Sequence, residues 1–332
     1  RILYFCIVEN VKIIVYTKSD ELPELLSGSI LHSRVLFEMI EHAPGMSPYM
    51  AVALDENDKV IAQLLTMLRR RGSWLPPYLF TQGRIYGDGV YANKEQREEL
   101  FALMLNKTKR YLHRRRCFYI EVSDISKKMF GYRSFKHNGF FPVAWMQICN
   151  SLDEMPPELL VDEKIALRIR NGYEQGVETR AAKDETEVRL FYRQLKAYYR
   201  FRPQRYIPNE LLFRNLLHND SYAINVTTYK DNVIGGSVVI YDNDKAYLWF
   251  SSAKKHRYPH IHPDILTIWH AIKSSYCAGC KQLYFLNVGL PFEHNPYREF
   301  LLSFGGTPVS TYRWFHFTFT WINTLLSKIY SE

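Results

Sequence analysis

The sequence predicts a mixed α+β protein made of two similar units, each a mostly antiparallel twisted sheet flanked by helices. Three observations carry this prediction. The chain has 332 residues, of which 47% are hydrophobic, too many for one ordinary core and too apolar for a disordered chain. One order of elements occurs twice along it. Equivalent points of the two copies are separated by a nearly constant number of residues, as a tandem duplication requires.

The duplication is visible first in a polar turn and the apolar strand after it. Asp55–Lys59 leads into Val60–Met67, and Lys230–Asn232 leads into Val233–Ile240. A turn cluster followed by a β-rich run is typical of a hairpin. Equivalent pairs are 173, 165 and 166 residues apart: Val60 and Val233, Tyr119 and Tyr284, Gly139 and Gly305. We therefore expect units of residues 1–157 and 158–332, with a linker at Met155-Pro-Pro157.

In the first copy the apolar spacing predicts, in order, a helix, the hairpin strands, a helix, a strand and a short helix that ends at Gly139. The helices and the later strand are Ser33–His42, Lys94–His113 and Cys117–Val122. In the second copy the same signals predict helices at Glu185–Tyr199, Asn209–Leu217 and Pro263–Tyr276 and a strand at Gln282–Val288.

The tail alternates as a strand through Phe319 and then spaces apolar residues as a helix does. Trp321, Leu325 and Ile329 fall on one helical face, together with Ile322 and Leu326. Two alternatives stand for this face: it docks on its own domain, or it rests on a membrane interface.

Charge, hydropathy and cysteine content indicate the kind of partner and the cellular compartment. The chain has 43 basic and 34 acidic residues, a net charge of +9 that suits an anionic partner. No apolar run approaches the ~20 residues of a membrane span, and Ile2–Val8 is followed at once by charge, so it indicates a strand and not a signal peptide. The five cysteines have no regular spacing, which argues against a disulfide framework. We expect a cytoplasmic protein, with the inner membrane surface as an alternative position.

We expect no metal site. Cys277-Ala-Gly-Cys280 lacks a second pair of cysteines, and His262-Pro-Asp264 is typical of a helix start. Two arginine triplets, Arg69–Arg71 and Arg114–Arg116, are interpreted as loop and helix-end charges.

The order of elements, with a short helix in Phe-x-x-x-Gly at Phe135–Gly139, resembles the N-acetyltransferase (GNAT) fold. The duplicated arrangement resembles the FemABX family of peptidoglycan aminoacyltransferases over nearly the whole chain. The resemblance is carried by the order of these segments: Ile30–Ser33, Phe118–Val122, Asn138–Phe140, Lys164–Val177, Phe191–Tyr206, Trp249–Ser252, Pro263–Ala271 and Phe300–Gly306.

The resemblance also bears on the cofactor. A GNAT that uses acyl-CoA holds the pyrophosphate with an Arg/Gln-x-x-Gly-x-Gly/Ala turn ahead of a helix. Here the first copy has Asp88 in that stretch, and the second copy, Ser251–Asp264, contains no glycine. We expect no bound cofactor, weak or absent binding of acetyl-CoA, and aminoacyl-tRNA as the donor that the resemblance implies.

The segment Arg189–Tyr206 is the best ligand candidate in the chain. It contains six basic and six aromatic residues and no acid, so guanidinium groups can bind phosphate while rings stack beside them. An amphipathic helix with a solvated basic face is the alternative. The resemblance implies that Arg202 and Tyr206 contact a nucleotide-linked acceptor. We expect Trp249, Ser251 and Ser252 to complete the substrate site, and Arg202, Tyr206, Trp249 and Arg298 to line one cleft.

Three residues are candidates for catalysis. Asp88 and Glu121 lie near predicted strand ends, where a carboxylate can accept a proton from an attacking amine. For Glu121 the alternative is a structural acid paired with a basic residue. The family often has Lys where this chain has Leu301, and Arg298 is the candidate to supply that positive charge.

These features predict a transferase that moves an aminoacyl or acyl group to an amine of a nucleotide-linked or lipid-linked cell-wall or envelope precursor. Two alternatives are a CoA-dependent N-acyltransferase and a non-catalytic duplicate that binds a phosphorylated envelope precursor.

Overall fold

The computed structural model describes residues 11–72, 79–123, 128–200 and 206–330. The chain forms two compact units. The first unit consists of residues 1–144 and 311–332, and the second of residues 145–310. This division differs from the expected boundary at residue 157, because two strands pair with the sheet of the other unit, as described below.

The first unit is built around a six-stranded main sheet with the order β1-β2-β3-β4-β6-β13. Neighbours are antiparallel except β4 and β6, which run parallel. Helix α1 begins where the Ser33 hydroxyl accepts a hydrogen bond from the Leu36 amide, at 3.1 Å. The elements are β1 Lys12–Tyr16, α1 Arg34–Glu41, β2 Met46–Leu54, β3 Val60–Gly72, β4 Leu79–Tyr86, β5 Val90–Tyr91, α2 Arg97–Arg114, β6 Tyr119–Ser123, α3 Tyr132–His137 and the end of β13 Thr307–Phe317, followed by α9 Thr320–Tyr330.

The second unit repeats this design with the order β7-β12-β11-β10-β9-β8. Its parallel pair is β11 and β12. The predicted N-cap Asn209 is confirmed, since its side chain accepts from the Leu211 amide at 3.0 Å. The elements are β7 Phe141–Ser151, α4 Glu163–Glu174, β8 Val177–Ala181, α5 Glu185–Tyr199, α6 Glu210–Leu216, β9 Tyr222–Tyr229, β10 Asn232–Asp242, β11 Lys245–Ala253, α7 Pro263–Cys277, β12 Gln282–Phe285 and α8 Pro296–Leu302.

The predicted duplication is confirmed by strand equivalence. Tyr119 lies in β6, parallel to β4, and Tyr284 lies in β12, parallel to β11. In both units one helix, α2 or α7, connects the two parallel strands, as a parallel crossover requires. A shift of 165 residues therefore relates positions across these elements of the two units.

Each unit receives its last strand from the other copy of the repeat. The end of β7 pairs with β12, with Ile148 opposite Phe285, and the end of β13 pairs with β6, with Trp314 opposite Val122. The chain thus passes between units within β7 and again within β13. Because a strand belongs to the sheet that it pairs with, the compact units do not coincide with residues 1–157 and 158–332.

Two adjacent glycines let helices pack closely on β10. A Cβ atom at Gly236 would lie 2.5 Å from the Phe191 ring and 2.7 Å from the Asn225 carbonyl oxygen. A Cβ atom at Gly235 would collide with the Thr267 hydroxyl. These contacts bring the middle of α5 and the beginning of α7 close to the sheet.

The predicted tail helix exists and exposes its apolar face. No residue of α9 is buried, and Trp321, Leu325 and Ile329 are 69%, 54% and 58% exposed. Asn323 attaches the helix to the unit, since its amide donates to the Gly139 carbonyl at 3.0 Å. In the described part of the chain, no helix combines the length and apolar character needed to cross a membrane.

Candidate functional site in the second unit

The site begins where the two parallel strands of the second unit separate. Residues 245–248 of β11 pair with residues 282–285 of β12. Strand β12 ends there, whereas β11 continues to Ala253. The last five residues of β11 thus border an opening on the side where β12 would otherwise continue.

The register of β10 and β11 shifts at the same point. Val238 is opposite Phe250 and Val239 is opposite Leu248, so Trp249 is the extra residue of a bulge. Bulges bend a strand and redirect its side chains, and they are frequent next to active sites.

A cavity of about 450 Å³ lies at the end of β11. Its walls come from β11, the end of α5, and the first turns of α7 and α8. A second cavity of about 40 Å³ shares Ser251 and Tyr297 with it and also contacts Trp249 and Tyr199. The larger cavity is lined by Tyr198, Ser251, Ser252, Ala253, Lys255, Asp264, Thr267, Ile268, Asn295, Pro296, Tyr297 and Phe300.

Ser252, which lines this cavity, has a buried hydroxyl oxygen with no hydrogen-bond partner among the described residues. The same holds for the Oε1 atom of Gln194, whose amide nitrogen donates to the Ser252 carbonyl at 3.2 Å. Buried polar atoms are nearly always satisfied in folded proteins, so these two indicate a place for water or for polar groups of a ligand.

The wall contributed by α8 is held by a network around Asn295. Its side-chain oxygen accepts from the amides of Tyr297 and Arg298, and its amide donates to the Val288 carbonyl at 3.0 Å. Arg298 donates to the carbonyls of Leu290 and Glu293, at 2.8 and 2.5 Å. This arginine therefore fixes the loop ahead of α8. Leu301 is fully buried in the core.

The structure brings together three of the predicted substrate-binding residues. Trp249 and Ser252 are buried and Ser251 is half-buried. Ser252 lines the larger cavity, Trp249 the smaller one, and Ser251 both. Tyr206 is half-buried just before α6. Arg202 lies outside the described residues, so the predicted cleft containing it stays a prediction.

The predicted acids Asp88 and Glu121 lie in the first unit, and both are paired with arginine. Asp88 forms an ion pair with Arg97. Glu121 contacts Arg84 and accepts hydrogen bonds from Arg313 at 3.3 Å and from Gln82 at 2.7 Å. Burial raises the pKa of Glu121, but Arg84 and Arg313 outweigh it and lower the pKa to about 2. These contacts agree with the alternative role considered for Glu121, a structural acid paired with a basic residue.

In the first unit the place equivalent to the opening is closed. Residues 82–86 of β4 pair with residues 119–123 of β6, and the Gly87 amide continues the ladder to the Ser123 carbonyl at 2.8 Å. With the 165-residue shift, Arg84 and Glu121 stand where Trp249 and Leu286 stand in the second unit. The second unit therefore holds the open copy of the site.

Several lining residues were not predicted from the sequence. Asp264, Asn295 and Tyr297 come from the beginnings of two helices, and only the fold brings them to the same cavity as Tyr198 of the predicted ligand segment. One sequence signal pointed to Tyr297: it lies 165 residues after Tyr132, at the start of the equivalent helix.

Comparison with known proteins agrees with this geometry. An acetyltransferase (GNAT) domain family matches residues 162–298. FemX has a TM-score of 0.62 at 10% identity, covering 90% of this chain and 94% of that chain. A tandem GNAT protein from the clavulanic acid biosynthesis pathway has a TM-score of 0.54 at 9% identity, covering 93% and 99%.

A third solved structure is the C-terminal domain of a putative lysylphosphatidylglycerol synthetase from Agrobacterium fabrum. Its TM-score is 0.55 at 10% identity, covering 89% of this chain and 90% of that chain. No curated protein sequence matches the chain significantly. The chain therefore has a tandem GNAT fold, in an arrangement similar to that of FemX.

Proposed function

We propose that this protein is an acyltransferase that binds an activated aminoacyl or acyl donor at the cavity of the second unit and transfers the group to an amine of a cell-envelope precursor. One observation carries the proposal. The cavity lies where β11 and β12 separate, inside the segment that the GNAT domain family matches, and polar groups from three helices surround it.

The lining side chains suit amine attack on an ester. The amine nitrogen bonds to the carbonyl carbon, the bond from that carbon to the leaving oxygen breaks, the amine loses a proton and the leaving oxygen gains one. The phenols of Tyr198 and Tyr297 can supply a proton to the leaving oxygen, and the carboxylate of Asp264 can accept one. The remaining contribution is positioning of the two reactants, with the strand end and the first turn of α8 as a rigid frame.

The wall at α7 favours an aminoacyl ester over an acyl-CoA thioester. Residues 251–264 contain no glycine with which to build a close-fitting loop around a pyrophosphate. Asp264 lies in the first turn of α7 and lines the cavity, so its carboxylate occupies the end of the helix that would otherwise attract an anion. Aminoacyl-tRNA is thus the proposed donor.

The acceptor is proposed by similarity. The sequence resembles the FemABX family, which favours a nucleotide-linked or lipid-linked cell-wall precursor. The name of the Agrobacterium fabrum neighbour refers to a lysylated phosphatidylglycerol, which favours a lipid acceptor. The exposed apolar face of α9 is compatible with an acceptor held in a membrane.

One observation favours the second candidate, a duplicate that binds a phosphorylated precursor without turnover. The position where the family often has Lys is Leu301, and its side chain is fully buried. Arg298, the candidate replacement, bonds to two backbone carbonyls of its own loop.

The test is a transfer assay with the purified protein. It is incubated with labelled aminoacyl-tRNA or acetyl-CoA, and with a UDP-linked muropeptide or phosphatidylglycerol vesicles, and products are identified by mass spectrometry. We expect transfer from aminoacyl-tRNA and none from acetyl-CoA. Transfer from acetyl-CoA alone would establish the CoA-dependent alternative. Binding of the muropeptide without product from either donor would establish the non-catalytic one.

A further inference from the structure

Two arginine triplets of the first unit meet at a cavity that the proposed function does not use. Arg70, near the end of β3, and Arg115, directly after α2, both line this cavity of about 300 Å³. Thr81 of β4 lies between them in the lining. The other lining residues are Gly45, Met46, Ser47, Tyr49 and Leu68.

Strand alternation selects one arginine of the first triplet for the cavity. Arg69 and Arg71 project from the opposite face of β3 and donate to the Gln82 side chain, at 3.0 and 3.2 Å. Arg70, between them, projects toward the face covered by α2 and is exposed. The first arginine triplet thus contributes two side chains to a hydrogen-bond network and one side chain to the cavity.

The cavity is positively charged and has no internal counter-ion. None of its lining residues is acidic, and within the described residues neither Arg70 nor Arg115 forms an ion pair. Arg115 donates to the Tyr111 hydroxyl at 3.2 Å, which holds its guanidinium in place without neutralising it. Both arginines act on the hydroxyl of Tyr49: burial raises its pKa, and the two positive charges oppose that shift.

We propose that this cavity binds a phosphate ester. Guanidinium groups bind phosphate oxygens bidentately, and two of them converge here with the Ser47 hydroxyl in the same wall. The buried ring of Tyr49 provides an apolar wall for a sugar or a base. A volume of about 300 Å³ is at the lower end for small-ligand sites and admits a phosphate with one attached ring. The phosphate belongs either to a free nucleotide or to the backbone of an RNA.

The proposal concerns the first unit and is independent of the proposed function. Its test measures binding of three probes to the full-length protein: inorganic pyrophosphate, adenosine 5′-monophosphate and a ten-nucleotide RNA. The variants are Arg70→Ala and Arg115→Ala. Arg114→Ala is the matched control, because Arg114 ends the same helix, is exposed and does not line the cavity. Two further variants, Arg70→Lys and Arg115→Lys, keep the positive charge but lack the forked hydrogen-bond donors of a guanidinium group. The melting temperature of every variant is measured to check that it is folded.

We expect Arg70→Ala and Arg115→Ala each to weaken binding tenfold or more, the two lysine variants to weaken it by a smaller factor, and Arg114→Ala to change it less than twofold. Binding of pyrophosphate and the nucleotide with this pattern identifies a small phosphate ester as the ligand. The same pattern with RNA alone identifies a nucleic acid backbone. The proposal is overturned if no probe binds at millimolar concentration, or if Arg114→Ala weakens binding as much as Arg115→Ala.

Discussion

In the proposed reaction, Tyr297 is the candidate to supply a proton to the leaving oxygen. It lies in the first turn of α8, and its equivalent in the first unit is Tyr132, at the start of α3. Tyr297 borders both cavities, whereas the ring of Tyr132 packs on Trp314 with centroids 5.2 Å apart. Tyr297 therefore lies where a ligand could contact it, whereas the ring of Tyr132 packs against another aromatic ring.

We expect Tyr297→Phe to lower the turnover number for transfer by about 100-fold, a typical loss for a general acid. Donor affinity should change much less, because only a hydroxyl is removed. The matched Tyr132→Phe variant should keep full turnover. Equal turnover of the two variants in steady-state assays would show that the Tyr297 hydroxyl takes no part in the reaction.

His32 makes the first unit sensitive to mild acid. It is fully buried, its Nδ1 accepts from the Leu65 amide at 3.0 Å, and burial lowers its pKa to about 4 from the ordinary value of 6.5. Between these two values the unfolded chain binds more protons than the folded one. The free energy of unfolding therefore falls as the pH drops from 6.5 toward 4, and His32 has no effect above that window.

Urea unfolding at pH 7 and pH 5 measures this effect. We expect the His32→Gln variant to lose less stability than the wild-type protein between the two pH values, even if it is less stable at both. His137→Gln, at an exposed position of the same unit, is the control for the substitution itself. An unchanged pH dependence in His32→Gln would mean that His32 is not the group that titrates.

At the residue scale the sequence predicted the part of the site that lies on one strand. Trp249, Ser251 and Ser252 end a strand ahead of a helix, so local pattern was sufficient to find them. Asn295 and Tyr297 were missed because each is ordinary in its own segment, and only packing brings the beginning of α8 to the same cavity as Tyr198 of the segment Arg189–Tyr206.

At the scale of elements, the two parallel strand pairs differ in one respect that bears on the proposed function. Strands β4 and β6 stay paired to their ends, and Arg84 and Glu121 form a buried ion pair between them, whereas β11 and β12 separate at the equivalent point. The first unit therefore has paired strands and a buried ion pair where the second unit has the opening.

We expect Glu121→Gln to destabilise the protein by about 3–5 kcal/mol, because it removes the buried carboxylate charge that faces Arg84 and Arg313. Glu158→Gln is the matched control, since the Glu158–Lys273 pair is half exposed and should contribute ~1 kcal/mol or less. Chemical denaturation measures both. A loss for Glu121→Gln no larger than for Glu158→Gln would mean that the buried pair does not stabilise the sheet.

Most elements were predicted because their signals are local. The α5 bounds agree with the predicted Glu185–Tyr199, and the hairpin turns at Asp55 and Lys230 precede β3 and β10. The pairing partners of β7 and β13 were not predictable, because the sequence of a strand does not determine which sheet it joins. The expected boundary at residue 157 was based on the repeat length. The repeat length cannot show that a strand of one copy pairs with the sheet of the other.

At the scale of the whole molecule, strand exchange couples the two halves of the chain. A fragment of residues 1–157 contains β6 without the strand that pairs with it, and residues 158–332 contain β12 without β7. Each fragment thus exposes the edge of a sheet, which promotes aggregation. We expect neither fragment alone to unfold cooperatively, and co-expression of the two to restore a stable complex. A fragment 1–157 that melts cooperatively near the temperature of the full chain would contradict this coupling.

If the opening at the end of β11 is the place of group transfer, a side chain that fills it must stop the reaction. Ser251 lines both cavities, and its equivalent in the closed first unit is Tyr86. The variant Ser251→Tyr therefore gives the second unit the side chain of the closed copy and fills the opening. The exposed Ser310→Tyr variant is the matched control. With the donor that supports transfer, we predict a loss of at least 100-fold in the transfer rate for Ser251→Tyr, with an unchanged melting temperature and full activity in Ser310→Tyr. Transfer by Ser251→Tyr at the wild-type rate would contradict the claim and place the reaction elsewhere in the molecule.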